Sequence, residues 1–276
     1  MPEAPSNLPS PVSMPARRLT IGTWSAELLS RQSYCASYTA AAPIIGFAFD
    51  HQAGIHAFGS DRRVDFHTRP NGLAHVPEGC DVYSRSDSGG EYLRITLRPE
   101  PGEQPWPRFS DRIDRAAIDV AYALRRALLT DAARDALICE QLVHILKERA
   151  AAVSGDPSPT PAAWMTPRRL RLVDELIEAR LDMALTVEQI AATLGLSAGF
   201  FARAFKAAIG KSPHDHIIDR RLARARALLQ GTESDLGAIA LASGFASHAH
   251  MTATFRKRLG VTPSEMRGGQ PPQRAR

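Results

Sequence analysis

"IALASGFASHAHMTATFRKRLGVTP", residues 239–263, is the stretch from which the rest of the chain can be read. An apolar run ends at Gly244, Ser247 follows, and Met251, Phe255 and Leu259 then recur at intervals of four before Gly260 and Pro263 close the segment. Intervals of four place three side chains on one stripe of a helix. Ser247 stands where an N-cap belongs, and glycine at 244 allows the left-handed backbone of a tight turn. The pattern predicts a short helix, a Gly-centred turn and a second helix crossing the first at a steep angle.

The pattern occurs twice. In "TVEQIAATLGLSAGFFARAFKAAIGKSP", residues 186–213, Ile190, Ala191 and Gly195 match Ile239, Ala240 and Gly244 at an offset of 49. With one residue inserted in the turn, Ser197, Phe205, Gly210 and Pro213 match Ser247, Phe255, Gly260 and Pro263 at an offset of 50. Two copies do not make a solenoid. In the first copy the buried stripe of the second helix is Phe201, Phe205 and Ile209. Its opposite face presents Gly199, Phe200, Ala202, Arg203 and Lys206; in the second copy that face presents His248, Ala249, His250, Thr252, Ala253 and Arg256.

Between the copies, "PHDHIIDRRLARARALLQG" has proline at a helix start, a glycine at its end and an apolar stripe of Ile217, Ile218, Leu222, Ala225, Leu228 and Leu229. From Pro213 to Leu229 such a helix spans about 25 Å. That spacer suits two heads set roughly one DNA turn apart, about 34 Å, with the start of each second helix in a major groove and later basic residues at phosphate. The charge agrees: residues 1–167 hold 17 Lys and Arg against 19 Asp and Glu, whereas residues 168–276 hold 17 against 10. A basic half beside a slightly acidic one points to an anionic partner, nucleic acid before membrane.

Residues 168–267 resemble the DNA-binding domain of the AraC/XylS family of bacterial transcription regulators. The resemblance rests on the two units, the "RRLARARALL" linker and the Ile-Ala-x-x-x-Gly-Phe-x-Ser…Phe-Arg-Lys…Gly-x-x-Pro pattern of the second. It implies seven helices holding two helix-turn-helix motifs, and sequence-specific control of transcription. The DNA-contacting set it carries onto this chain is Ser197, Gly199, Phe200, Arg203 and Lys206 in the first head, and Ser247, His248, His250, Thr252, Arg256 and Lys257 in the second. Family members often carry an arginine where this chain has Ala253, an aromatic where it has Met266 and a larger residue where it has Gly199. The second head is therefore expected to dock chiefly through Arg256, Lys257 and Arg258 on phosphate, with Arg203 the principal base reader.

Upstream, Leu19 to Leu97 breaks into short apolar runs such as "IIGFAF", "GIHAFG" and "EYLRITL" between Gly, Asp, Asn and Pro, a β-rich pattern. "GLAHVPEG" sets a Pro-x-Gly turn after a strand, and "GEYLRITLRPE" reads as an ordinary strand edge. Between Asp111 and Val153, "DRIDRAAIDVAYALRRALL" and "DAARDALICEQLVHILKERAAAV" change to helical period. Leu137, Ile138, Gln141, Leu142 and Ile145 form a stripe that serves either a dimer contact or packing on the chain's own barrel. The family resemblance implies a cupin-like barrel followed by helices. The expected class is thus α+β: an N-terminal β-rich cupin-like barrel with two following helices, and a C-terminal all-α domain with two helix-turn-helix motifs joined by a linker helix. The expected division is a disordered arm at 1–16, an effector or dimerisation domain at 17–153, a Pro/Ser/Gly-rich linker at 154–167, the DNA-binding domain at 168–267 and a disordered tail at 268–276.

No catalytic constellation emerges. Cys35, Cys80 and Cys139 are scattered, and no Gly-x-Ser-x-Gly or phosphate loop is present. His51, His56, His67 and His75 lack the His-x-His spacing of a cupin metal site. His248 and His250, two apart on a helix, point to different faces and suit a groove better than a metal; His214 and His216 read as solvent-facing residues at a helix start. The sequence therefore predicts a cytoplasmic, non-enzymatic regulator with no cofactor, no metal and no membrane span. Its expected partners are double-stranded promoter DNA and a small-molecule effector, with RNA polymerase and a second copy of the chain as further candidates. The alternatives are a cupin-type metalloenzyme with a DNA-binding tail and a nonspecific architectural DNA binder.

Overall fold

A computed structural model of the chain describes residues 17–98, 106–130, 136–154, 165–232 and 234–268. The expected arm at 1–16, the linker residues 155–164 and the tail residues 269–276 lie outside the described residues.

Ten strands are formed among the described residues: β1 (Arg17–Ile21), β2 (Trp24–Leu29), β3 (Tyr34–Thr39), β4 (Ile44–Ala48), β5 (Gln52–Phe58), β6 (Val64–Thr68), β7 (Gly72–Val76), β8 (Asp81–Ser86), β9 (Tyr92–Leu97) and β10 (Phe109–Ile113). They make two antiparallel sheets, one in the order β1-β2-β9-β4-β7-β10 and one in the order β3-β8-β5-β6. The period of two decides which face is buried. Trp24, Ala26 and Leu28 on β2 stand opposite Leu97, Ile95 and Leu93 on β9, and Ile45 and Phe47 on β4 stand opposite Ile95 and Leu93 in turn. This row forms one apolar core with helices α1 (Arg115–Leu129) and α2 (Ala136–Ser154). The result is a cupin-like β-domain with helices against its larger sheet.

Three expectations change here. β9 is a central strand, not an edge, because it pairs with β2 on one side and β4 on the other. Residues 111–113, read as the start of a helix, belong to β10. Asp111 has a left-handed φ of 59° and its carboxylate takes the Arg69 N–H at 3.0 Å and Nε at 2.7 Å. The helix starts only after Asp114, whose carboxylate caps the N–H of Ala117 at 2.8 Å. On α2 the buried stripe is Cys139, Val143, Leu146 and Ala150, spaced three and four apart, so Leu137, Ile138 and Ile145 of the expected stripe are turned outward.

Among the described residues seven helices follow: α3 (Pro167–Ala179), α4 (Val187–Thr193), α5 (Ala198–Ile209), α6 (Pro213–Gly231), α7 (Leu236–Ala242), α8 (His248–Leu259) and α9 (Pro263–Gly268). Their starts follow local chemistry. Thr186 and Gln189 make a capping box on α4, Ser197 caps α5, Ser212 caps α6 ahead of Pro213, Asp235 caps α7 and Ser247 caps α8. No described helix is long and apolar enough to cross a membrane.

The seven helices do not share one core. Leu170, Val173 and Ile177 of α3, Leu181, Ile190 and Ala191, the α5 stripe of Phe201, Phe205, Ala208 and Ile209, and Ile217 form a cluster of their own. Ile218, Leu222, Ala225 and Leu229 of α6, with Ile239, Phe245, Met251, Phe255, Leu259 and Met266, belong instead to the cluster that contains the β-domain core. Adjacent residues on α6, Ile217 and Ile218, thus serve different cores, as two side chains about 100° apart around a helix must.

Candidate nucleic-acid interface

In the first head, Ser197 accepts the Phe200 N–H at 3.3 Å, which fixes where α5 begins. Gly199, Arg203 and Lys206 are exposed beside it, while Phe200 and Ala202 are half-buried. In the second head, Ser247 accepts the His250 N–H at 3.1 Å, and His248, Ala249, His250, Ala253, Arg256 and Lys257 are exposed. The opposite stripes, Phe201/Phe205/Ile209 and Met251/Phe255/Leu259, are no more than 2% exposed. Burying one stripe of each helix leaves these polar and basic residues facing outward.

Details separate the two faces. The His250 ring meets the buried Phe245 ring edge-on, with centroids 5.5 Å apart, which orients the imidazole. Thr252, expected on the partner face, is half-buried with its hydroxyl closed off from solvent. Arg258, expected at phosphate, instead pairs with Asp215 on the first turn of α6. Burial works against the Arg258 charge, but the Asp215 carboxylate holds it on; burial alone would raise the Asp215 carboxyl, and the Ser212 hydroxyl and Arg258 outweigh it and leave the carboxyl below its ordinary range.

His214 is exposed, but His216 is 3% exposed and lies 3.1 Å from Asp174 of α3, against the ring of Phe205. It belongs to the interior of the first head because a residue two positions on along α6 faces a different side. Among the N-terminal histidines, His51 and His67 stack at 6.1 Å, and His75 bonds the Pro107 carbonyl at 3.1 Å. No group of three or more His, Cys, Asp or Glu able to hold a metal occurs among the described residues.

A ring of polar contacts, which no sequence motif announces, joins the heads to the β-domain. Glu91, 1% exposed, is held by Arg125 of α1 and by Arg226 of α6, the latter at 2.6 Å. Tyr122 of α1 donates to Asp219 of α6 at 3.1 Å, and Lys211, 2.8 Å from the same carboxylate, lies over the Tyr122 ring. Arg220 reaches Glu178 at 2.6 Å and sits 3.8 Å from Asp50. Burial alone would raise the Asp50 carboxyl; Arg220 and the Glu91 N–H outweigh it and hold the carboxyl below its usual value.

Two helix-turn-helix heads on a bridging helix, attached to a cupin-like sandwich, define the class. Residues 190–269 match a family model described as a helix-turn-helix domain. The transcriptional regulator ArgR of Pseudomonas aeruginosa is 35% identical over 33% of this chain, a match spanning 28% of ArgR's own length. YobQ of Bacillus subtilis, an uncharacterized HTH-type regulator, is 25% identical over 79% of this chain and 83% of its own. A solved AraC-type DNA-binding transcriptional regulator from Chromobacterium violaceum is 36% identical over 37% of this chain and 90% of its own, with a TM-score of 0.35. The C-terminal region of this chain is thus a helix-turn-helix domain of the kind these transcription regulators carry.

Proposed function

We propose that the chain is a sequence-specific DNA-binding transcription regulator whose N-terminal domain responds to a small-molecule effector. The observation that carries the DNA reading is the pair of exposed helix faces, with Arg203 and Lys206 on α5 and His248, His250, Arg256 and Lys257 on α8. Each face starts at a capped helix N-terminus and lies opposite a fully buried stripe, the arrangement by which a recognition helix enters a major groove. Arg203 is the principal base reader; Ser197, Gly199, Phe200 and Ser247 lie at the same two helix starts. Arg256 and Lys257 meet phosphate, consistent with the positive excess of residues 168–276.

The effector reading draws on polar side chains carried by the strands of both sheets. Tyr34 lies 3.2 Å from Ser84 and 3.5 Å from Gln52. Glu27 holds Arg94 at 2.8 Å. Burial pushes the Tyr92 hydroxyl far above its ordinary value, with Tyr38 and Tyr34 close by.

The test is selection of duplexes from a random library by the full-length chain, followed by gel shift of Arg203→Ala and Arg256→Ala. Arg203→Ala is expected to lose about ten- to a hundredfold on the selected duplex and to relax preference at one position. Arg256→Ala is expected to weaken binding evenly across sequences and to flatten the salt dependence by about one ion. Unchanged selectivity in Arg203→Ala removes Arg203 from base reading.

A further inference from the structure

We propose that the N-terminal domain clasps the C-terminal ends of both recognition helices, and that Arg69, Asn71 and Arg126 are positioning residues that fix the spacing between the two heads on DNA. The inference rests on the DNA-binding reading above.

The last carbonyls of a helix have no partner within it and lie at the negative end of its dipole. In α5 those carbonyls are met from the β6–β7 turn: Arg69 Nη1 donates to the Ala208 carbonyl at 3.3 Å and Asn71 Nδ2 to the Ile209 carbonyl at 2.7 Å. In α8 the Lys257 carbonyl accepts from Arg126 Nη2 of α1 at 2.9 Å. Each helix then ends on a left-handed glycine pressed against α1. A Cβ on Gly210 would fall 2.2 Å from Ile118 Cδ1, and one on Gly260 would fall 2.7 Å from Thr130 Cγ2 and 3.1 Å from Arg126 Cγ. Ile118 and Arg126 are eight residues apart, about 12 Å along one helix. A single rigid element thus touches the same structural position in both heads, while the helix starts that carry the DNA-facing residues stay clear of it.

The clasp adds a tether between the heads to the one that α6 supplies. The first head packs around its own core, and it meets the second along α6 and where Gly244 lies against the Leu181 carbonyl. The donors from Arg69 and Asn71 close the path α5–α6–α8–α1 into a ring. Arg69 is itself braced, with Nη2 on the Asp111 carbonyl at 2.8 Å and Nε on the Asp111 carboxylate at 2.7 Å. Asn71, 1% exposed and left-handed at φ 66°, is set in place by its N–H on the Ala48 carbonyl at 2.7 Å. A change in the sandwich that moves this turn would therefore move the first head relative to the second.

The experiment measures spacing, which a merely stabilising contact would not set. Duplexes selected by the full-length wild-type chain are divided into two half-sites, and affinity is measured on the intact duplex, on one half-site alone and on duplexes with three base pairs inserted between the halves, a rotation of about 100°. Wild type is expected to lose on the order of a hundredfold on the inserted duplex, because one head can no longer engage. Asn71→Ala and Arg126→Ala are expected to reduce that loss to under about tenfold, with half-site affinity unchanged. Arg126→Ala lies on an exposed contact and keeps the test readable if Asn71→Ala does not fold, as checked by circular dichroism. Folded variants that keep the full spacing loss overturn the clasp, as does a wild type indifferent to spacing. If wild type selects no duplex at all, the DNA reading fails and the clasp falls with it.

Discussion

The two heads carry the same motif, yet one is nearly a module and the other is part of the body of the protein. The first closes on Phe201, Phe205, Ile209 and Ile217; the second shares its core with α1, α2 and the larger sheet. Equivalent positions therefore sit in unequal surroundings. Gly195 and Gly244 both turn at positive φ, 68° and 81°, but a Cβ at 195 would meet nothing within 4 Å, whereas one at 244 would fall 1.9 Å from the Leu181 carbonyl. A repeated motif specifies a local path for the chain and leaves open what that path packs against.

The sharpest way to break this comparison is to empty the two cores at matched positions. Phe205→Ala and Phe255→Ala should each cost about 3–5 kcal/mol. Native-state hydrogen exchange should distinguish them: the Phe205 variant loses protection over α3–α5 while α1 keeps it, and the Phe255 variant loses protection in α1 as well. Equal loss in α1 from both would mean that the two cores act as one.

A smaller contrast is expected at the turns. Gly195→Ala should cost about 1 kcal/mol, the left-handed backbone alone, and Gly244→Ala about 2–3 kcal/mol or more because the Leu181 carbonyl must also move. Matching thermal shifts in the two variants would remove the close approach from the explanation.

The smallest effect concerns pH and falls on the β-domain. Burial disfavours the charged forms of His51, His56 and His75, with Asp174 opposing it at His51 and the Pro107 carbonyl at His75. Their folded pKa values lie below the ordinary value of about 6.5, so on acidification the unfolded chain takes up protons first. The stability they confer is complete above that value and is lost as pH falls toward the lowered ones. The urea midpoint should fall between pH 7.5 and 5.5, with the loss in the β-domain and second head; a midpoint that rises would contradict the assignment.

Much of the local geometry of the two heads was legible in the sequence because it depends on near neighbours. Ser197, Ser247, Gly210 and Gly260 follow from capping, and the stripes at intervals of four identify which faces are buried and hence which are exposed. Where the reading went astray, a long-range contact had intervened. Arg258 has the charge and position of a phosphate contact, but Asp215, 43 residues away, takes it. His216 looks like a helix-start residue until Asp174 is placed beside it. The stripe Leu137, Ile138 and Ile145 lies more than about 100° around α2 from the buried one, and periodicity does not choose between them because apolar residues occupy both faces.

The amino-acid sequence by itself determined the two helix-turn-helix units, their caps, the helix between them and a β-rich region ahead of them, because each depends on residues within a few positions of one another. The tertiary structure alone decided that the second head shares the β-domain core, that β9 lies in mid-sheet, and that Arg69, Asn71 and Arg126 reach the ends of the recognition helices. The last of these contacts join residues more than a hundred positions apart. No local period records such a pairing: a carbonyl at a helix end needs a donor, and only the folded chain settles which residue supplies it.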